Sequence, residues 1–98
     1  MIKILIQSDV KERAVDIVQS AIASEIKRLE QGLHKTDRHI EQFEKKYNIL
    51  SVVFLEKLFA EDLEGQDQEY IEWAGELKLR EKILTDLNHL KGIEYVAQ

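Results

Sequence analysis

Residues 22–50 read IASEIKRLEQGLHKTDRHIEQFEKKYNIL. Within them Ile22, Ile26, Leu29, Leu33, Thr36, Ile40, Phe43, Tyr47 and Leu50 recur at alternating steps of four and three, and Thr36 is the one polar member. That spacing places every member on one stripe of a helix. A stripe four heptads long cannot bury itself, so it calls for another helix, from this chain or from a second copy. The seam decides the fold class: mainly α, a helical hairpin of coiled-coil character.

Upstream of the seam, Ile2, Ile4 and Ile6 alternate with Lys3, Leu5 and Gln7, the pattern of a short strand with one apolar face, within residues 1–8. Ser8 and Asp9 are N-cap candidates, and Glu12 stands three residues after Asp9 as a capping-box partner. A helix over 9–47 follows, about 58 Å long at 1.5 Å per residue. Near residue 20 the apolar register shifts: Val10, Ala14, Ile17 and Ala21 form a stripe beside the later seam. Gly32 is the one interior flaw, costing about 1 kcal/mol against alanine, and it predicts a bend or a close helix contact.

Downstream, Asn48 ends the long helix and Ser51 is a cap for a short helix over 51–60. Its Val52, Val53, Phe54, Leu55, Leu58 and Phe59 are apolar on most sides, so this helix is expected to wedge into the core. Gly65-Gln66-Asp67 reads as a turn. A return helix over 68–91 is expected to run antiparallel to the first, with Tyr70, Trp73, Ala74, Leu77, Ile83, Leu84, Leu87 and Leu90 inward. Gly92 signals its C-cap, and 93–97 reads as an extended tail. Residues 1–98 form one domain by length, with no internal repeat, linker or low-complexity stretch.

The return helix spans only about 34 Å, which leaves the start of the long helix uncovered. Self-association is the economical remedy. The expected dimer surface is Ile4, Ile6, Val10, Ala14, Ile17, Ala21 and Ile22, with the Ile2–Ile6 strands joined across a two-fold axis.

Composition narrows the function. Apolar residues make 44% and charged residues 34% of the 98, too hydrophobic for disorder and too charged for a membrane protein. No apolar run is long enough to span a bilayer and no signal peptide is visible, so a cytoplasmic location is expected. Zero cysteines exclude disulfides, cysteine nucleophiles and thiolate metal sites. The net charge of −5 is unevenly placed: residues 1–38 hold seven basic against six acidic side chains, residues 39–98 seven against thirteen. Glu61, Asp62, Glu64, Asp67, Glu69, Glu72 and Glu76 form an acidic run with no base between Lys57 and Lys78. DNA binding is not favoured with that sign, and Lys3 is the only base in the strand. The run suits a basic protein partner or, more simply, a solvated helix start that complements the helix dipole.

No catalytic constellation emerges. His34 and His39 are five apart and diverge by about 140° around a helix, where a two-histidine metal face wants a spacing of four. No Glu-x-x-His pair of the di-iron kind occurs, nor any P-loop or serine elbow. Neither metal nor cofactor is expected. Arg28 and His34 match the spacing of the helical HEPN ribonucleases, with Leu29 where those enzymes carry a polar residue. An RNA-cleaving enzyme is therefore the third alternative. Trp73, one turn from Tyr70 and Leu77, is a core anchor first and an interface anchor second.

The segment Phe43-Glu44-Lys45-Lys46-Tyr47-Asn48-Ile49-Leu50-Ser51, followed by Phe54, Asp67, Glu72-Trp73 and a leucine-rich helix ending Leu90-Lys91-Gly92-Ile93-Glu94-Tyr95, resembles a family of small bacterial and archaeal proteins. Members of that family resemble antitoxins encoded beside small toxin genes, ribonuclease toxins of the TumE kind among them. The resemblance covers residues 38–96, with Asn48-Ile49 where the family has Gly-Met and Val52-Val53 where it has a more polar pair. It implies a non-enzymatic antitoxin that neutralises a basic toxin by direct binding. Joined to the charge pattern, it implies a partner surface made of Glu61, Asp62, Glu69, Tyr70, Glu72, Trp73 and Glu76. The alternative is a structural coiled-coil adaptor or homodimeric scaffold.

Overall fold

The computed structural model describes residues 2–60 and 68–97. Strand β1 (Lys3–Ile6) leads into helix α1 (Lys11–Tyr47), which is followed by α2 (Ser51–Ala60), α3 (Gln68–Lys91) and strand β2 (Glu94–Ala97). The chain is mainly helical, with the long N-terminal helix packed against the C-terminal one. Two compact units are distinguished within the chain, Leu33–Lys82 and Met1–Gly32 with Ile83–Gln98.

In the unit Leu33–Lys82, α1 and α3 run antiparallel. Asp37 meets Arg80 at 2.8 Å, His39 meets Glu76 at 3.0 Å, and Lys46 meets Glu69 at 2.5 Å, so partners fall along α3 as they rise along α1. Trp73 is wholly buried, with 0% of its surface exposed, and Phe54, Ile40 and Thr36 are buried too. Thr36, the lone polar member of the seam, is therefore an interior position. The seam is covered within the chain as far as Tyr47, whereas Leu50 stands 65% exposed beyond the end of α1.

The end of α1 is set by Asn48, which takes up a left-handed φ of 50°. This turns the backbone so that the Ile49 N–H reaches the Glu44 carbonyl at 3.2 Å, the six-to-one bond of a Schellman closure. Asparagine tolerates that conformation better than other non-glycine residues.

Several local expectations need correction. Helix α1 starts at Lys11, not residue 9. The Ser8 hydroxyl accepts the Val10 amide at 3.2 Å, and the Ala14 amide bonds the Val10 carbonyl at 3.0 Å. The first turn therefore opens after Val10, and Asp9 is not its cap. Ser51 does not cap α2 either: it lies inside the helix, and its N–H is taken by the Glu44 carboxylate at 2.8 Å. Helix α2 was expected to be wedged on most sides; among its described side chains Phe54 is buried and Leu55 half-buried. Val52 is 63% and Val53 36% exposed, so the side of α2 that carries them is not covered by the described residues. The side chains of 58–60, and the turn at 65–67, lie outside the described residues.

In the unit Met1–Gly32 with Ile83–Gln98, β1 pairs in parallel with β2, Lys3 opposite Glu94 and Leu5 opposite Val96. The partner of the N-terminal strand is thus a strand of the same chain. Pairing across a two-fold axis, if made, is left to the opposite edge of β1. Ile6, Ile83 and Leu87 are buried here, while Leu84, expected inward, is 40% exposed. Helix α1 continues without interruption through Gly32, where an added Cβ would meet Ile83 Cδ1 at 3.7 Å, ordinary van der Waals contact. Gly92 lies just past α3 as expected, and two short-range bonds close that end: Gly92 N–H to His89 C=O and Ile93 N–H to Leu90 C=O.

Candidate interaction surfaces

The acidic partner surface expected from sequence is largely engaged by the chain itself. Glu69 accepts from Lys46 Nζ with both carboxylate oxygens, at 2.5 and 2.7 Å, and from the Tyr47 hydroxyl. The hydrogen bond from Lys46, then that from Tyr47, holds the Glu69 carboxyl below the usual carboxylate range. Glu76 meets His39 Nδ1 through one oxygen, and its second oxygen is buried without a hydrogen-bond partner among the described residues. Of the described acids in this run, Glu72 alone is exposed, and Glu69 and Glu76 are half-buried. Glu61 and Asp62 lie outside the described residues.

Trp73 offers a partner no surface. Its ring stacks on Phe54 with centroids 3.8 Å apart and planes 4° from parallel, and on Phe43 and Tyr47 at 5.7 and 5.9 Å. Its indole N–H donates to the Ser51 hydroxyl at 3.0 Å, meeting the one polar need of a buried tryptophan. The half-buried Tyr70 packs edge-on to Tyr47 and Phe54. The expectation of Trp73 as a contact residue is thereby corrected: burial makes it the core anchor of its unit.

What this unit does expose is apolar. Leu50, Val52 and Val53 stand out at the corner between α1 and α2, beside an open hollow lined by Glu41, Glu44, Lys45, Asn48, Ile49 and Leu50. Sequence reasoning missed this corner. The signal in the sequence is Val52-Val53 standing where the resembling family has a more polar pair.

In the other unit, Val10 and Ile17 are each 59% exposed. Ala21 is exposed, and Ala14, Ile22 and Ile4 are half-buried. With Glu12, Arg13, Asp16 and Ser20, the first two line a shallow hollow. Three of the seven positions of the expected dimer stripe are therefore exposed and three half-buried. Ile6 is the exception and must be struck from it, being buried inside its own unit.

Arg28 is engaged by Glu25 at 2.5 and 3.0 Å, and that hydrogen bond raises its pKa above the ordinary guanidinium value. His34 is exposed on the helix surface. No group of three or more His, Asp or Glu among the described residues is placed to hold a metal ion. No described helix is long and apolar enough to cross a membrane. No family model, no curated protein and no solved structure matches this chain.

Proposed function

We propose that this chain is a non-enzymatic interaction module of the antitoxin type, which neutralises a basic partner protein in the cytoplasm by covering it. The observation that carries the reading is the apolar corner Leu50, Val52 and Val53, three large side chains standing exposed beside a well-packed aromatic core. Contiguous exposed apolar residues with a charged rim are the usual mark of a protein contact. The acidic excess of residues 39–98 gives the encounter its sign and speed, while the corner supplies the buried contact. Glu72 replaces the wider acidic face as the charged contact, since Glu69 and Glu76 serve the fold.

The test is co-purification with the product of the adjacent gene, together with rescue of growth when that product is expressed. Leu50→Asp and Val52→Asp should abolish both, with helical content unchanged. Retained binding and rescue in both variants overturn this reading. A second reading, a homodimeric scaffold, is favoured by Val10 and Ile17, whose exposure leaves the first turns of α1 with an unpartnered apolar row.

A further inference from the structure

We propose that two copies of this chain join through the outer edge of β1, antiparallel about a two-fold axis at Ile4, making the four-stranded sheet β2-β1-β1-β2. The inference rests on the homodimeric reading above and names its surface.

The backbone supplies the first argument. In a parallel pair, alternate residues of one strand send both their N–H and C=O to the neighbour. The Glu94 N–H donates to the Ile2 carbonyl at 2.8 Å, and Lys3 stands opposite Glu94. Ile2, Ile4 and Ile6 are thus the residues whose backbone faces β2. Lys3 and Leu5 turn theirs to the opposite edge, which no strand occupies in the described residues. Two-stranded sheets of this length are marginal by themselves, and an unpaired edge is a template for another strand.

The side chains supply the second, because they select both the occupant and the register. Antiparallel neighbours must share a face. A two-fold axis at Ile4 sets Ile4 against its own copy, Ile2 against the partner's Ile6, and Lys3 against the partner's Leu5. On the inner face, the 45% exposed Ile2 comes beside the partner's Ile6, which is already buried in its own unit, so that pair matches in apolar register without adding an exposed contact. On the outer face, each rung reads Glu94, Lys3, partner Leu5, partner Val96. Lys3 Nζ already lies 4.0 Å from Glu94 Oε2, so each lysine enters the joint neutralised, with its aliphatic stem against a leucine that is now 61% exposed. Leu5 and Val96 cover each other's flank in the same rung. An axis at Leu5 instead would set Ile2 against Ser8 and lose that match. A foreign strand would need this same alternation of isoleucines with a leucine and a lysine; the chain's own copy has it.

A four-residue edge buries less than the roughly 1,200 Å² that a stable interface needs in total. The remaining area falls to Val10 and Ile17, the exposed apolar row that follows β1 in the same unit.

The experiment is light scattering of the full chain across a wide concentration range, with circular dichroism as the check on folding. Wild type should be a dimer. Leu5→Lys places a lysine opposite Lys3 in both rungs and should raise the dimer dissociation constant about tenfold or more. Leu5→Glu places an acid there and should keep the dimer, although both variants remove the same leucine. Leu5→Pro deletes only an outward N–H, a place where an edge strand tolerates proline, and should give a helical monomer. If Leu5→Pro loses its helix, the lysine and glutamate pair decides alone. A dimer that persists in Leu5→Lys, or one that dissociates equally in Leu5→Glu, overturns the edge and leaves the homodimeric reading standing. A wild-type monomer at every concentration overturns both.

Discussion

Replacing Trp73 with alanine is the severest single perturbation this fold offers. The side chain is completely buried, and its loss opens a cavity bounded by Phe43, Tyr47 and Phe54, all of which stack on it. Tryptophan-to-alanine changes in a core cost about 3 to 5 kcal/mol. The upper part of that range is expected, because three ring contacts go at once and the Ser51 hydroxyl loses its donor. A chain of this length has about 5 to 15 kcal/mol in total, so the variant sits near its folding threshold. Urea unfolding read by far-ultraviolet circular dichroism is the assay, since Trp73 is the only tryptophan and its fluorescence goes with it. With a slope of about 1 to 1.5 kcal/mol per molar urea, the midpoint should fall by about 3 to 5 M. Trp73→Phe keeps a ring in the stack but loses the indole donor, and should cost about 1 to 2 kcal/mol. A shift in Trp73→Ala worth less than about 1 kcal/mol would refute the claim that the unit is built on this stack.

Three further outcomes follow from local geometry. Gly32→Ala should stabilise by about 1 kcal/mol, since its Cβ meets only Ile83 Cδ1 at contact distance; a lowered thermal midpoint would show that the helices need closer approach there. Asn48→Val should cost about 1 to 2 kcal/mol at the left-handed φ of 50°, while Asn48→Gly should be neutral or stabilising, by thermal midpoint. The Glu69 carboxyl is held below its unfolded value by Lys46 and Tyr47. Its contribution is therefore complete above the ordinary glutamate value of about 4.3 and lost as pH falls below that through the lowered folded value. Glu69→Gln should flatten the stability curve in that acid window, measured by denaturation at stepped pH.

The long seam was legible because its period is a direct consequence of helix geometry, and every member from Ile22 to Tyr47 is half-buried or buried. The exposure of Val52 and Val53 was not legible. A short helix apolar all round reads as interior, and only the packing decides which side stays outside. The pairing of β1 with β2 was hidden for a different reason: parallel partners must be joined by a long crossover, here three helices, and no local pattern marks so distant a neighbour. The acidic run misled because Lys46 and His39 lie on another helix, and sequence adjacency does not show them as the partners of Glu69 and Glu76. Charge counted along the chain overstates charge available at the surface.

Amide hydrogen exchange at β1, followed residue by residue against protein concentration, tests most directly the claim that two copies of this chain join through the outer edge of β1. Ile4 and Ile6 face β2 and should be protected at every concentration. Lys3 and Leu5 should exchange freely in dilute solution and become protected as copies pair. Lys3 and Leu5 amides that stay unprotected at all concentrations would contradict it.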